Sequence, residues 1–181
     1  PYLKNPPKII PIDVGRQLFI DDFLIEKTTL KRSFHKARYH RINPVIKPDK
    51  PWETGGKSSL AIVYLGGVWY DPADSLFKAW YQGGNTGYKT YGVCYATSKD
   101  GIHWDKPVLK VAKPDTNFVI HGPRNDCCTV WLDHNAGTPA ERFKIFNVAY
   151  TEEKSNWHFI YRTSPDGVHW SKPLVTKRTW G

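Results

Sequence analysis

Apolar residues along the chain come in short runs, each bounded by residues that turn the backbone. Leu60 to Tyr70 is one such run, rich in β-branched and aromatic side chains, and Asp71-Pro72-Ala73-Asp74 ends it. Leu76 to Tyr81 is a second, followed by a glycine-rich stretch from Gln82 to Lys89. Thr90 to Thr97 is a third, Ser98 to Gly101 a tight turn, and Ile102 opens a fourth. Runs of this length, broken by Gly, Pro, Asp and Ser, predict strands joined by hairpins. Composition agrees. Aromatic residues make up 14% of the chain, with 8 Trp and 10 Tyr, and long Ala/Leu/Glu runs are missing. Such side chains fit a pleated, half-buried surface.

The pattern then repeats. Tyr95-Ala-Thr97-Ser98-Lys-Asp100-Gly101-Ile-His103-Trp104-Asp-Lys106-Pro107 aligns with Tyr161-Arg-Thr163-Ser164-Pro-Asp166-Gly167-Val-His169-Trp170-Ser-Lys172-Pro173 at a constant offset of 66, with nine of thirteen positions identical. Phe77-Lys78 aligns with Phe143-Lys144 at the same offset. Further back, Val68-Trp69-Tyr70-Asp71 parallels Val130-Trp131-Leu132-Asp133 at an offset of 62, and a longer turn from His134 to Glu141 accounts for the difference. Four antiparallel strands per unit of roughly 40–60 residues is the description of a propeller blade. A sandwich of evenly spaced strands is the alternative. The fixed repeat favours an all-β propeller: a leader at 1–54, one blade at 55–115 and a second at 116–181.

The repeated segment has a mechanical explanation. Ser98-Lys99-Asp100-Gly101 suits a type I turn followed by a left-handed Gly. The Asp side chain can accept hydrogen bonds from nearby backbone N–H groups. Trp104 returns to cover the hairpin, and Pro107 ends the strand because it cannot donate to a ladder. Asp100 and Asp166 are thus expected to be structural, as are the equivalent His103 and His169.

Charge and cysteine content narrow the field. The net charge is +9, but the 26 Lys and Arg are scattered and no nucleic-acid recognition motif accompanies them. Nucleic acid is therefore not expected as a partner. Cys94, Cys127 and Cys128 are an odd count with an adjacent pair, so they form no disulfide framework, and without a Cys-x-x-Cys pair no zinc site is expected. No run of 18 or more apolar residues is present, so no membrane-spanning helix is expected. The opening Pro1-Tyr2-Leu3-Lys4 lacks signal-peptide character and an initiating Met, which points to an upstream or removed N-terminus. Gly56-Lys57-Ser58 fails as a phosphate loop, because Pro51 stands where the first Gly is required. No Asn-x-Ser/Thr sequon occurs.

The Ser-x-Asp-Gly-x-x-Trp hairpin resembles that of the five-bladed propeller glycoside hydrolases of families 32, 43, 68 and 130. It is also similar to the sialidase Asp-box, one residue shorter. Asn43-Pro44-Val45-Ile46, followed by Pro51-Trp52-Glu53, looks like the segment that leads into the first inner strand of such propellers. Arg16-Gln17-Leu18-Phe19-Ile20-Asp21-Asp22 resembles the start of uncharacterised secreted bacterial proteins described as glycosyl-hydrolase-like. The resemblance implies a secreted or periplasmic protein acting on a carbohydrate. Five blades of about 60 residues need roughly 300, so it also implies that further sequence supplies the rest of the ring.

Glycoside hydrolysis uses two carboxyl groups flanking the scissile bond. In the resembled families the acids come from the starts of innermost strands. By that analogy Asp126, in Arg124-Asn125-Asp126, is the catalytic candidate of the second copy, although the family's Arg-Asp-Pro motif is interrupted here. Glu53, after Trp52, is the candidate of the first copy. Asp21-Asp22 is a third option, and two adjacent acids on a strand point to opposite faces. The family's Trp-x-Asn-Asp-Pro nucleophile motif is missing, and a third acid is expected on a later blade. Trp52, Arg124, His121 and Trp131 are the expected sugar contacts. The positive charge suits an anionic glycan, uronic or sulfated. No cofactor and no metal are called for. A non-catalytic carbohydrate-binding or scaffold propeller is the competing expectation.

Overall fold

A computed structural model describes residues 4–13, 18, 20–85, 91–122, 125–151 and 156–175, with the backbone alone described at 125–127, 149–151 and 156. The chain divides into two units, Pro1–Arg38 and Tyr39–Gly181. The described part of the first unit runs through bends and turns. There Asp21 accepts the N–H of Phe23, and Arg32 pairs with Asp22. The two acids therefore sit in a local side-chain-to-backbone turn, and the strand that would send them to opposite faces is absent from this segment.

The second unit is all-β. β1 (Leu60–Ile62) and β2 (Val68–Asp71) lie along one edge of β3 (Leu76–Gly84). β4 (Gly92–Ser98) pairs with the other edge of β3, and β5 (Phe118–Ile120) pairs with β4. The second sheet is the meander β6 (Asn125–Leu132), β7 (Phe143–Thr151), β8 (Asn156–Ser164) and β9 (Leu174–Val175). Every pairing is antiparallel. A 3₁₀ turn at Pro139–Glu141 fills the longer connection between β6 and β7. The described residues form two sheets and no closed ring.

Two features depart from the expected pattern, each for a local reason. The run Leu60 to Tyr70 is two strands, because Gly66-Gly67 steps out of the ladder. Gly67 has φ +88°, and a Cβ at Gly66 would lie 1.9 Å from the Trp80 carbonyl oxygen. The fourth strand of the first sheet does not begin at Ile102. Only Asp105 bridges back, to Thr97, before an excursion closed by the Leu109 N–H to Thr116 carbonyl bond; β5 then takes the fourth place. The division between the sheets consequently falls after Ile120, and both sheets lie within the compact unit Tyr39–Gly181.

Strand alternation sorts side chains to two faces. Trp80, Val93 and Tyr95 of the first sheet meet Val130, Leu132, Phe143 and Ile145 of the second in one continuous core, with Val168 and Trp170 packed on it. The edge strands converge as well: the Val130 N–H donates to the Gly66 carbonyl, and the Trp69 indole N–H donates to the Val130 carbonyl at 2.7 Å. On its other face the first sheet buries Tyr81, Cys94, Ala96 and Phe118 beneath Ile46, Trp52 and Trp104. The sheets are thus stacked, and the segment around 46–52 covers part of the first sheet's far side.

Candidate functional site

The polar centre of the molecule lies under that covering segment. The 51–53 turn is closed by the Glu53 N–H to Lys50 carbonyl bond, which curls the Glu53 side chain back toward its own loop. One carboxylate oxygen accepts the N–H groups of Asp49 and Lys50, at 3.1 and 3.2 Å, and the Lys106 ammonium at 2.7 Å. The other accepts the Tyr81 hydroxyl at 2.7 Å. Glu53 is 0% exposed. Lys106 also reaches the Lys47 carbonyl and Asp49. Asn117 completes the network: its amide donates to the Tyr81 hydroxyl and the Tyr95 carbonyl, and its oxygen accepts the Trp52 indole N–H at 2.8 Å. Burial first, with Cys94 and Glu53 adding to it, pushes the Tyr81 hydroxyl well above its ordinary value, so it remains a donor. Burial likewise raises the Cys94 thiol, and the Glu53 charge adds to the effect. Four donors on one carboxylate satisfy a buried charge, which is costly only when left unpaired.

The remaining expected site residues are scattered. Trp52 is joined to Glu53 through Asn117 and Tyr81, but it is half-buried and serves as a packing and hydrogen-bonding anchor. His121 is exposed, its ring edge-on to Phe118 at 5.0 Å; burial, then the Lys113 charge, lowers its pKa. Trp131 is 52% exposed and meets Trp69 edge to face at 4.9 Å. Its neighbours Val130 and Leu132 enter the core between the sheets, so it takes the opposite side of β6, at the edge where Trp69 reaches it. Asp126 stands near the start of β6, paired with Val148, immediately before a register shift that leaves Cys127 unopposed. Its side chain, like Arg124, lies outside the described residues.

The hairpin acids behave as expected of turn formers. Asp100 accepts the N–H groups of Ile102 and His103 at 2.8 Å each, and its second oxygen meets the His103 ring at 2.7 Å. Asp166 repeats every one of these contacts with Val168 and His169. The His103 ring and these N–H groups hold the exposed Asp100 carboxyl well below its usual range. Burial opposes ionisation of Asp166, yet His169 and the backbone N–H groups outweigh it and hold the carboxyl at about 2.

Sequence reasoning missed Lys106 as the partner of Glu53 and missed Asn117 altogether. Lys106 belongs to the repeat, which disguised it: its counterpart Lys172 is exposed. Asn117 lies in an excursion that carries no motif. Among the described residues no group of three or more His, Cys, Asp or Glu side chains is placed to hold a metal ion, and no helix is long and apolar enough to cross a membrane. Comparison with protein-family models, with curated proteins and with solved structures finds no match. The class defined by the fold is an all-β protein of stacked antiparallel sheets.

Proposed function

We propose that the two sheets are successive blades of a β-propeller that hydrolyses a poly- or oligosaccharide outside the cytoplasm, with Asp126 as its acid in this chain. The observation that carries the reading is the place of Asp126. It opens the edge strand that converges on the first sheet, directly before the irregularity at Cys127. Bulges re-aim side chains and are enriched beside active sites. Glu53 takes a different role in this proposal. With both oxygens engaged and no exposed surface, it anchors the 46–53 segment instead of protonating a glycosidic oxygen.

The test is turnover on a panel of neutral, uronic and sulfated glycans. Asp126→Asn is expected to lower kcat by at least about 100-fold, the scale of lost acid–base catalysis, with glycan binding retained. Full turnover in Asp126→Asn removes the assignment. A second reading, a carbohydrate-binding or scaffold propeller, is favoured by the enclosure of Glu53, which takes one of the two expected acids out of a ligand's reach. It predicts binding and no turnover in the unsubstituted protein.

A further inference from the structure

The outward face of the second sheet has a counterpart inside the molecule. At the repeat offset of 66, Trp80, Val93 and Tyr95 correspond to Phe146, Phe159 and Tyr161. The first three are 0%, 2% and 5% exposed because the second sheet lies on them. Phe146 and Phe159 are 51% and 46% exposed. Leu174 and Val175 extend their patch, and Lys144 borders it. The edge of the interface repeats too. Asp71 pairs with Lys78 in the first sheet, and Asp133 pairs with Lys144 in the second.

The other end of the stack carries the complementary half. Val130, Leu132 and Phe143 are the side chains that the second sheet inserts into the central interface. Their repeat counterparts are Val68, Tyr70 and Phe77. Register places these three on the first sheet's far face, with Val68 and Tyr70 46% and 48% exposed. Val68 and Phe77 line an apolar groove there with Ala61, Ile62 and Trp104.

We propose that the chain self-associates head to tail, the Phe146–Phe159–Tyr161 face of one copy receiving the Val68–Tyr70–Phe77 face of a second. The occupant is a second copy because its far face holds the matching half of an interface already present within the chain. Such a contact is heterologous and extends until a ring closes. It is weaker than the internal one. The Trp80 indole N–H donates to the Gly167 carbonyl across the internal interface, and Phe146 has no such donor. Arg142 reaches Asp71 across the same interface, and the residue in its place in the first repeat is Leu76. Ile46 and Trp52 cover the outer part of the receiving face, confining the contact to β2 and the start of β3.

Sedimentation velocity over a concentration series tests this with two half-exposed substitutions, Val68→Glu and Phe159→Glu. The unsubstituted chain is expected to form concentration-dependent oligomers. Each variant alone is expected to be monomeric, and an equimolar mixture to give a heterodimer, since one copy keeps its tail face and the other its head face. An unsubstituted chain that stays monomeric overturns the proposal, even if the Phe146 face proves protected, which would assign that face to another stretch of polypeptide. A dimer of either variant alone also overturns it, because like faces would then be pairing. Near-UV circular dichroism of the Trp-rich core checks folding. Tyr70→Ser and Phe146→Ser form a second pair, read by the same outcomes, should a glutamate variant unfold.

Discussion

Glu53 illustrates how a single carboxylate changes meaning with its surroundings. Beside Trp52 and before a Gly-Gly pair it has the look of a loop acid free to act on a ligand. In the structure it closes a turn, receives four donors and neutralises a lysine that is itself 3% exposed at its side chain. Glu53→Gln therefore leaves the Lys106 ammonium buried with Asp49 alone as its carboxylate partner. Removing one member of a buried pair typically costs roughly 3–5 kcal/mol, and we expect a loss on that scale, read as a lower urea midpoint at unchanged m-value. Replacing Lys106 by Met in the Glu53→Gln background should recover part of it, since the uncompensated charge is then gone. A purely catalytic Glu53 predicts the opposite pattern, with lost turnover at unchanged stability. None of this was readable from local sequence, because Lys106 and Asn117 approach Glu53 from 53 and 64 positions away.

At the scale of the element, the twin hairpins were legible because the contacts that shape their turns are local, between residues two or three apart. Ser98 and Ser164 accept the N–H groups of the following Asp and Gly, and the Asp side chains accept the next two. The splitting of β1 from β2 and the late arrival of β5 were not legible. Both are set by tertiary contacts, the first by the approach of Gly66 to Trp80 and Val130, the second by an excursion that returns to β4 at Phe118. The asymmetry between the hairpins is tertiary too, and it yields a prediction. Gly101 and Gly167 have φ +73° and +80°. A Cβ at Gly101 meets its nearest neighbours at 4.0 Å, whereas one at Gly167 would lie 2.4 Å from the Trp80 ring. Gly101→Ala should cost about 1–2 kcal/mol, the left-handed penalty alone. Gly167→Ala adds overpacking of about 1–3 kcal/mol and displaces Trp80 from the Gly167 carbonyl. Chemical denaturation of the two variants side by side should show the larger loss at Gly167, with a change in Trp fluorescence confined to it.

At the scale of the whole molecule, the join between the sheets has an electrostatic clasp whose pH response follows from its geometry. Asp71 ends β2 with its side chain fully buried. It accepts Lys78 at 2.7 Å from its own sheet, the Ala73 N–H at 3.1 Å, and Arg142 from the start of the second sheet. Burial works against its ionisation, but Arg142 and Lys78 outweigh it and hold the carboxyl at about 2. The unfolded chain titrates near the ordinary Asp value of about 3.9. Folded Asp71 thus stays ionised over a range in which the unfolded chain takes up a proton. The stabilisation is complete above about pH 4 and is lost as pH falls through about 2. Linkage sets its size on the order of 2–3 kcal/mol. Asp71→Asn should lower stability at neutral pH by an amount on that same order, roughly 2–3 kcal/mol. It should also flatten the acid limb of a stability-versus-pH curve. Asp166 and Asp100, both held below their usual range at the hairpins, leave a residual slope in that variant. Lys78 retains Asp74 at 2.8 Å, so the cation left without a carboxylate is Arg142. Separation of the sheets, followed by exposure of Trp80 and its fluorescence, should therefore precede loss of strand signal on acidification. A variant whose acid limb matches that of the unsubstituted chain would move the pH dependence away from the inter-sheet join.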